Sequence, residues 1–162
     1  MDHLELKEIQ DAFALPLEEF VRETGVRLAV LINRSGQVLA QHGFDKLFDL
    51  VGVASLAAGI NASSRALASQ LGEDEFEHLH HAGRDRQLFL AHFSSSAGQL
   101  MLVTVFDERS SIGLVRLFFG DFVNRITEIP AMNLVRAQAD VGDFEEELEA
   151  SLDRFFQDLM GG

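Results

Sequence analysis

Between Gly52 and Ser69, twelve of eighteen residues are Gly, Ala or Ser, and the only charge between Asp49 and Glu73 is Arg65. Residues 47–71 contain no proline, so the segment is long enough and regular enough for one helix. A helix facing water would carry Glu, Lys and Gln for solubility, so this one has to be covered. At about 100° per residue, Val53, Leu56, Ile60, Leu67 and Leu71 gather within roughly 60° and predict the stripe that packs on a sheet. Ala54, Ser55, Ala58, Ala62, Arg65, Ala66 and Ser69 lie opposite, a thin surface that admits a second backbone. Two readings stand: a helix sandwiched in its own core, its alanines reflecting helix propensity alone, or a docking face for a symmetry mate or another protein.

The flanking segments alternate helical and strand periodicity. Phe13, Leu17, Phe20 and Thr24 stand at helical spacing, and Pro16 among them predicts a first helix that is kinked or restarted before it ends at Gly25. Residues 26–33 and 38–42 are β-rich and joined by Arg34, Ser35, Gly36 and Gln37, a hairpin. Residues 75–82 alternate weakly and suit a short polar edge strand. Residues 87–93 and 99–106 are stronger strands, the second apolar on both faces like a covered central strand. Ser110 or Ser111 can cap a third helix whose buried stripe is Ile112, Val115, Phe119, Phe122, Val123 and Ile126, stopped by Pro130. After a mixed linker, Asp143 and Glu146 at capping-box spacing predict the start of a fourth helix carrying Phe144, Leu148, Leu152, Phe155 and Leu159. The paired Phe155 and Phe156 require that helix to dock, on its own sheet or on a partner.

Charge narrows the classes of partner. Asp plus Glu is 26 against 13 Lys plus Arg, a net charge of -13, and residues 140–162 hold eight acids against Arg154 alone. Such a balance repels a phosphate backbone and an anionic membrane, so nucleic acid is not expected as a partner. With no Cys there is no disulfide frame and no thiolate metal site, and the cytoplasm is the expected compartment. The N-terminus lacks a basic start followed by an apolar run, and no stretch is expected to cross a bilayer, so membrane insertion is not expected.

Enzyme chemistry finds little support. His78, His80 and His81 with Glu77 suggest metal ligation, but alternate strand residues face opposite sides, leaving His78 and His80 together without a third ligand. A polar edge that discourages wrong pairing is the plainer reading. No Gly-x-Ser-x-Gly elbow and no phosphate-cradling loop is present, so no catalytic residue, metal or cofactor is assigned.

Three segments carry a resemblance. Ala54-Ser55-Leu56-Ala57-Ala58-Gly59 with Leu67-Ala68 and Leu71-Gly72-Glu73 resembles the second-helix signature of the Roadblock/dynein light-chain class. Phe106-Asp107-Glu108-Arg109-Ser110-Ser111-Ile112-Gly113 resembles its strand-to-helix junction, and Leu31-Ile32-Asn33-Arg34-Ser35-Gly36-Gln37-Val38 its hairpin. The segment from Glu73 to Gly83 and the acidic C-terminal extension are similar to the bacterial MglB-like branch. Pro16 and Arg65 depart from the pattern.

The resemblance implies an α/β (α+β) chain of order α-β-β-α-β-β-β-α: a central five-stranded antiparallel sheet with helices on both faces, over residues 1–129. Residues 130–162 then form a linker and an acidic amphipathic C-terminal helix. It implies a homodimer joined through the edge strand and second helices, with Ala54, Ser55, Phe76, His78, Leu79 and His80 at the interface. It further implies a small Ras-like GTPase of the MglA type as partner, met by Ala58, Ala62, Arg65, Ala66 and Ser69. The function implied is stimulation of that GTPase in cell polarity or motility, without an active site of the chain's own. The alternatives are a non-catalytic scaffold for a GTPase or motor complex, and modulation of nucleotide exchange through the C-terminal helix.

Overall fold

The computed structural model describes residues 2–43 and 49–161, and of residues 137–146 only the backbone. Leu47 and Phe48, where the second helix was expected to begin, lie outside the described residues.

Helix α1 (His3–Thr24) starts at Asp2, whose carboxylate accepts the Leu4 N–H while Glu5 reaches back to the Asp2 N–H, a reciprocal cap. It ends at Gly25, which adopts φ 73°, a conformation that favours glycine. Contrary to the expected break, α1 runs as one helix through Pro16. An interior proline costs about 3 kcal/mol in an isolated helix. Here Ile9, Phe13, Pro16, Leu17 and Phe20 are all buried, and that burial outweighs the missing backbone bond.

The strands are β1 (Leu28–Asn33), β2 (Val38–His42), β3 (His78–Ala82), β4 (Gln87–Ser95) and β5 (Gly98–Phe106). They form one sheet in the order β2-β1-β5-β4-β3, with every neighbouring pair antiparallel. The hairpin between β1 and β2 turns on Asn33, whose side-chain oxygen accepts the N–H groups of Ser35 and Gln37. β5 lies inside the sheet and is buried from Leu100 to Phe106, while β3 is an edge.

Alternation along β5 divides the core in two. Leu100, Leu102 and Phe106 face α1, helix α3 (Ile112–Thr127) and the first turns of helix α4 (Met132–Met160). Met101, Val103 and Val105 face helix α2 (Leu50–Gln70) on the other side. Ser111 caps α3 by accepting the Leu114 N–H, and Phe122 packs edge-on against Phe93 with ring centres 6.1 Å apart. Arg125 of α3 donates to Glu19 and Glu23 of α1, tying the two helices together.

The C-terminal helix begins earlier than the capping signature suggested. α4 starts at Met132 and is continuous to Met160, so Asp143 lies within it; the side chains of Asp143, Phe144 and Glu146 lie outside the described residues. Met132 and Val135 are buried in the α1–α3 core, which recruits the first turns that composition alone presented as a linker.

Candidate functional site

α2 meets the sheet with only part of its large apolar stripe: Val53 and Ile60 pack, half-buried, against the sheet layer. Asp49 caps it by accepting the Gly52 N–H, and the helix is rolled so that Ala54, Ala57 and Ala68 are buried while Leu56, Leu67 and Leu71 are exposed by 71%, 55% and 65%. The reason is steric. The strands beneath present Val30, Ile32, Met101 and Val103, and alanines let the helix settle against side chains that already fill the layer. α2 is also long and apolar enough by length and composition to cross a bilayer, contrary to the sequence expectation. In this structure its inner side is docked on a sheet.

The roll leaves a trough between α2 and the β3 edge. One hollow of about 400 Å³ runs past Val53, Leu56, Ile60, Leu88 and Val105 with Arg86 on its lining. A second of about 580 Å³ continues past Ser55, Gly59, Leu67, Phe76 and Leu79. Leu56, Ile60 and His81 border both, so the two form one apolar channel. Beyond it, Ala62, Ala66 and Ser69 are exposed and Ala58 half-buried.

Of the residues expected at an interface between subunits, three are brought to the trough and three are not. Ala54 is fully buried against its own sheet and has no surface to offer. Ser55, Phe76 and Leu79 line the trough. His78 and His80 face the other layer, where their rings lie 5.5 Å from Phe89 and 6.1 Å from Phe106. Burial, aided by Arg116, lowers the His78 pKa below its ordinary value, Glu77 opposing.

Arg65 is engaged within the chain: its Nε lies 3.2 Å from Oε1 of Glu75. Gln99 donates to both Glu75 oxygens at 3.1 Å, and His92 Nε2 is 3.7 Å from Oε2. This cluster was not legible in the sequence, because Glu75, His92 and Gln99 come from separate elements and fit no motif spacing. The same holds for Arg86, which reaches the trough from the β3–β4 turn.

The Roadblock/LC7 domain model matches residues 13–106, more than half of the chain, with all five strands and α2. The chain belongs to the Roadblock/LC7 family. Among solved structures, this Roadblock chain is similar to the gliding protein MglB of Thermus thermophilus, with 34% identity and a TM-score of 0.61 over 81% of this chain and 90% of that one. It is also similar to Myxococcus xanthus MglB, with 28% identity and a TM-score of 0.65 over 72% of this chain and 92% of that one. A Roadblock/LC7 domain from Streptomyces avermitilis, 17% identical with a TM-score of 0.60 over 69% of this chain and 92% of that one, shares the fold. Comparison with curated protein sequences gives no match.

Proposed function

We propose that this Roadblock protein is a homodimeric regulator that binds a small Ras-like GTPase of the MglA type and stimulates its GTP hydrolysis, in bacterial cell polarity or motility. The observation that carries the reading is the outer side of α2. A helix with Leu56, Leu67 and Leu71 exposed beside an unpaired strand edge is costly in water, and a second copy across β3 and α2 covers both. Similarity to MglB at 34% identity supports the partner class. In a dimer of this kind the small side chains Ala58, Ala62, Ala66 and Ser69 of paired α2 helices make a flat platform for a GTPase. The chain acts there as a partner without an active site of its own, in the cytoplasm.

The test is GTP hydrolysis by an MglA-type GTPase with and without this protein. Stimulation that disappears with Ala62→Arg and with Ala66→Arg supports the proposal; stimulation unchanged by either substitution removes the platform from it.

A second reading is favoured by α4. Its C-terminal half is exposed throughout, with Leu148, Leu152, Phe155, Phe156 and Leu159 on view, and it does not lie on its own sheet. This stripe is free to contact a partner, as a scaffold for a GTPase or motor complex requires, or as a modulator of nucleotide exchange. Binding without any change in hydrolysis selects the scaffold; changed nucleotide release that is lost on truncation at Glu147 selects the exchange role.

A further inference from the structure

The α2–β3 connection is held by a hydrogen-bonded cluster whose geometry fixes the state of one histidine. His92 Nε2 lies 2.7 Å from the carbonyl oxygen of Phe76, which can only accept, so Nε2 carries a proton. Nδ1 lies 3.2 Å from Gln99 Nε2, which can only donate, so Nδ1 is bare. His92 is therefore neutral in this arrangement. The second N–H of the Gln99 amide goes to Glu75, whose carboxylate also faces Arg65 Nε at 3.2 Å. Glu75 joins the connection to both α2 and the sheet, and Phe76, next to it, lines the trough.

We infer that Glu75 is a positioning residue that holds Arg65 against the α2–β3 connection only while His92 is neutral, and hands Arg65 to the surface when His92 takes a proton. A proton on Nδ1 would point at the Gln99 amide hydrogens. The amide has to turn, presenting its oxygen to the imidazolium and withdrawing its N–H from Glu75. Glu75 is then left beside two cations, with His92 Nε2 already 3.7 Å from Oε2, and it follows the imidazolium away from Arg65. The charged groups around His92 are Glu75 in contact, Arg65 beyond it on α2, and Glu77, one register position past the His78–Ala91 pair. Glu77 lines the other layer with His78 and Arg116, so it stands outside the exchange.

The measurement is a double-mutant cycle on the isolated full chain, Arg65→Gln and Glu75→Gln singly and together, by urea unfolding on both sides of the range where histidines titrate, about pH 8 and about pH 5.5. The expected coupling is roughly two- to five-fold in the folding equilibrium constant at the higher pH, in keeping with a half-exposed pair, and none at the lower. In a His92→Gln background the coupling should not change with pH. Equal coupling at both pH values, none at the higher one, or a pH dependence that survives His92→Gln each overturns the inference. Nitrogen NMR of the unsubstituted protein gives a second reading: Nε2 protonated and Nδ1 bare at the higher pH, with the reverse tautomer refuting the arrangement.

Arg65 stands beside Ala62 and Ala66, so the regulatory meaning rests on the GTPase reading above: acidification would release a cation onto the platform. The cycle needs no GTPase, so it can fail while the GTPase reading stands, and the hydrolysis assay can fail while the cycle succeeds.

Discussion

The N–H of Gly52 points at Oδ1 of Asp49 across 3.2 Å, and a Cβ built on Gly52 would lie 2.7 Å from the other carboxylate oxygen. The cap and the missing side chain are one device that starts α2 and sets its direction across the sheet. Asp49→Ala should cost about 1 kcal/mol of stability, the usual value of an N-cap. Gly52→Ala, which in an open helix interior gains nearly as much, should bring no gain because the new methyl displaces the cap. Urea unfolding of both variants checks the pair; a stabilised Gly52→Ala would show that the cap does not fix the helix start.

Thr104 lies in the middle of β5, fully buried, and its hydroxyl has no hydrogen-bond partner among the described residues. Its β5 neighbours Val103 and Val105 show that the strand accepts a β-branched apolar residue. Replacing the hydroxyl by a methyl removes the desolvation of an unpaired polar group, which in mutational data is about 1–3 kcal/mol. Thr104→Val is therefore expected to raise stability by about 1 kcal/mol, visible as a higher urea midpoint with an unchanged slope. A loss of stability would mean that the hydroxyl has a partner.

His78 gives the protein a pH dependence of definite sign. Its pKa is lowered, first by burial and then by Arg116, so the unfolded chain takes up the proton more readily than the folded one. Stability is unaffected while both states are neutral and falls as the pH drops through the ordinary histidine range, near 6.5. It stops falling once the folded form is protonated too. His78→Phe, which keeps a ring against Phe89, should flatten this part of the profile. A slope in that window that is identical in wild type and His78→Phe would refute the assignment.

Much of this was written in the residues. The order of elements, the end of α1 at Gly25, a serine cap on α3 and the doubly buried β5 all follow from local chemistry, and the structure has them where the pattern put them, with Ser111 rather than Ser110 as the cap. Pro16 and the start of α4 were misread for a common reason. Burial of Leu17 and Phe20 carries α1 through its proline, and burial of Met132 and Val135 draws a supposed linker into a helix. Both are tertiary effects that propensity does not contain. The roll of α2 is the deeper case: periodicity located the large stripe and the packing of Val53 and Ile60, but not that Leu56, Leu67 and Leu71 turn outward, because that depends on how full the opposing sheet surface already is. The Glu75, His92 and Gln99 cluster depends on the register of β4 with β5, which places His92 opposite Met101 and leaves Gln99 within reach.

That roll leads to a pair of substitutions whose outcomes reverse what the stripe suggested. Had Leu56 been the residue packed on the sheet, Leu56→Asp would be severely destabilising and Ala57→Leu harmless. With Leu56 exposed and Ala57 only 3% exposed, the order is inverted. Ala57→Leu should cost about 1–3 kcal/mol by overpacking the seam between α2 and the strands. Leu56→Asp should shift the stability of the single subunit by no more than about 0.5 kcal/mol. If a second copy covers the trough, however, the same aspartate is buried without a partner there, and sedimentation at micromolar concentration should show Leu56→Asp as a monomer and the wild type as a dimer. A folded Leu56→Asp that still dimerises would place the contact between subunits elsewhere on the molecule, while an unfolded one would return Leu56 to the core.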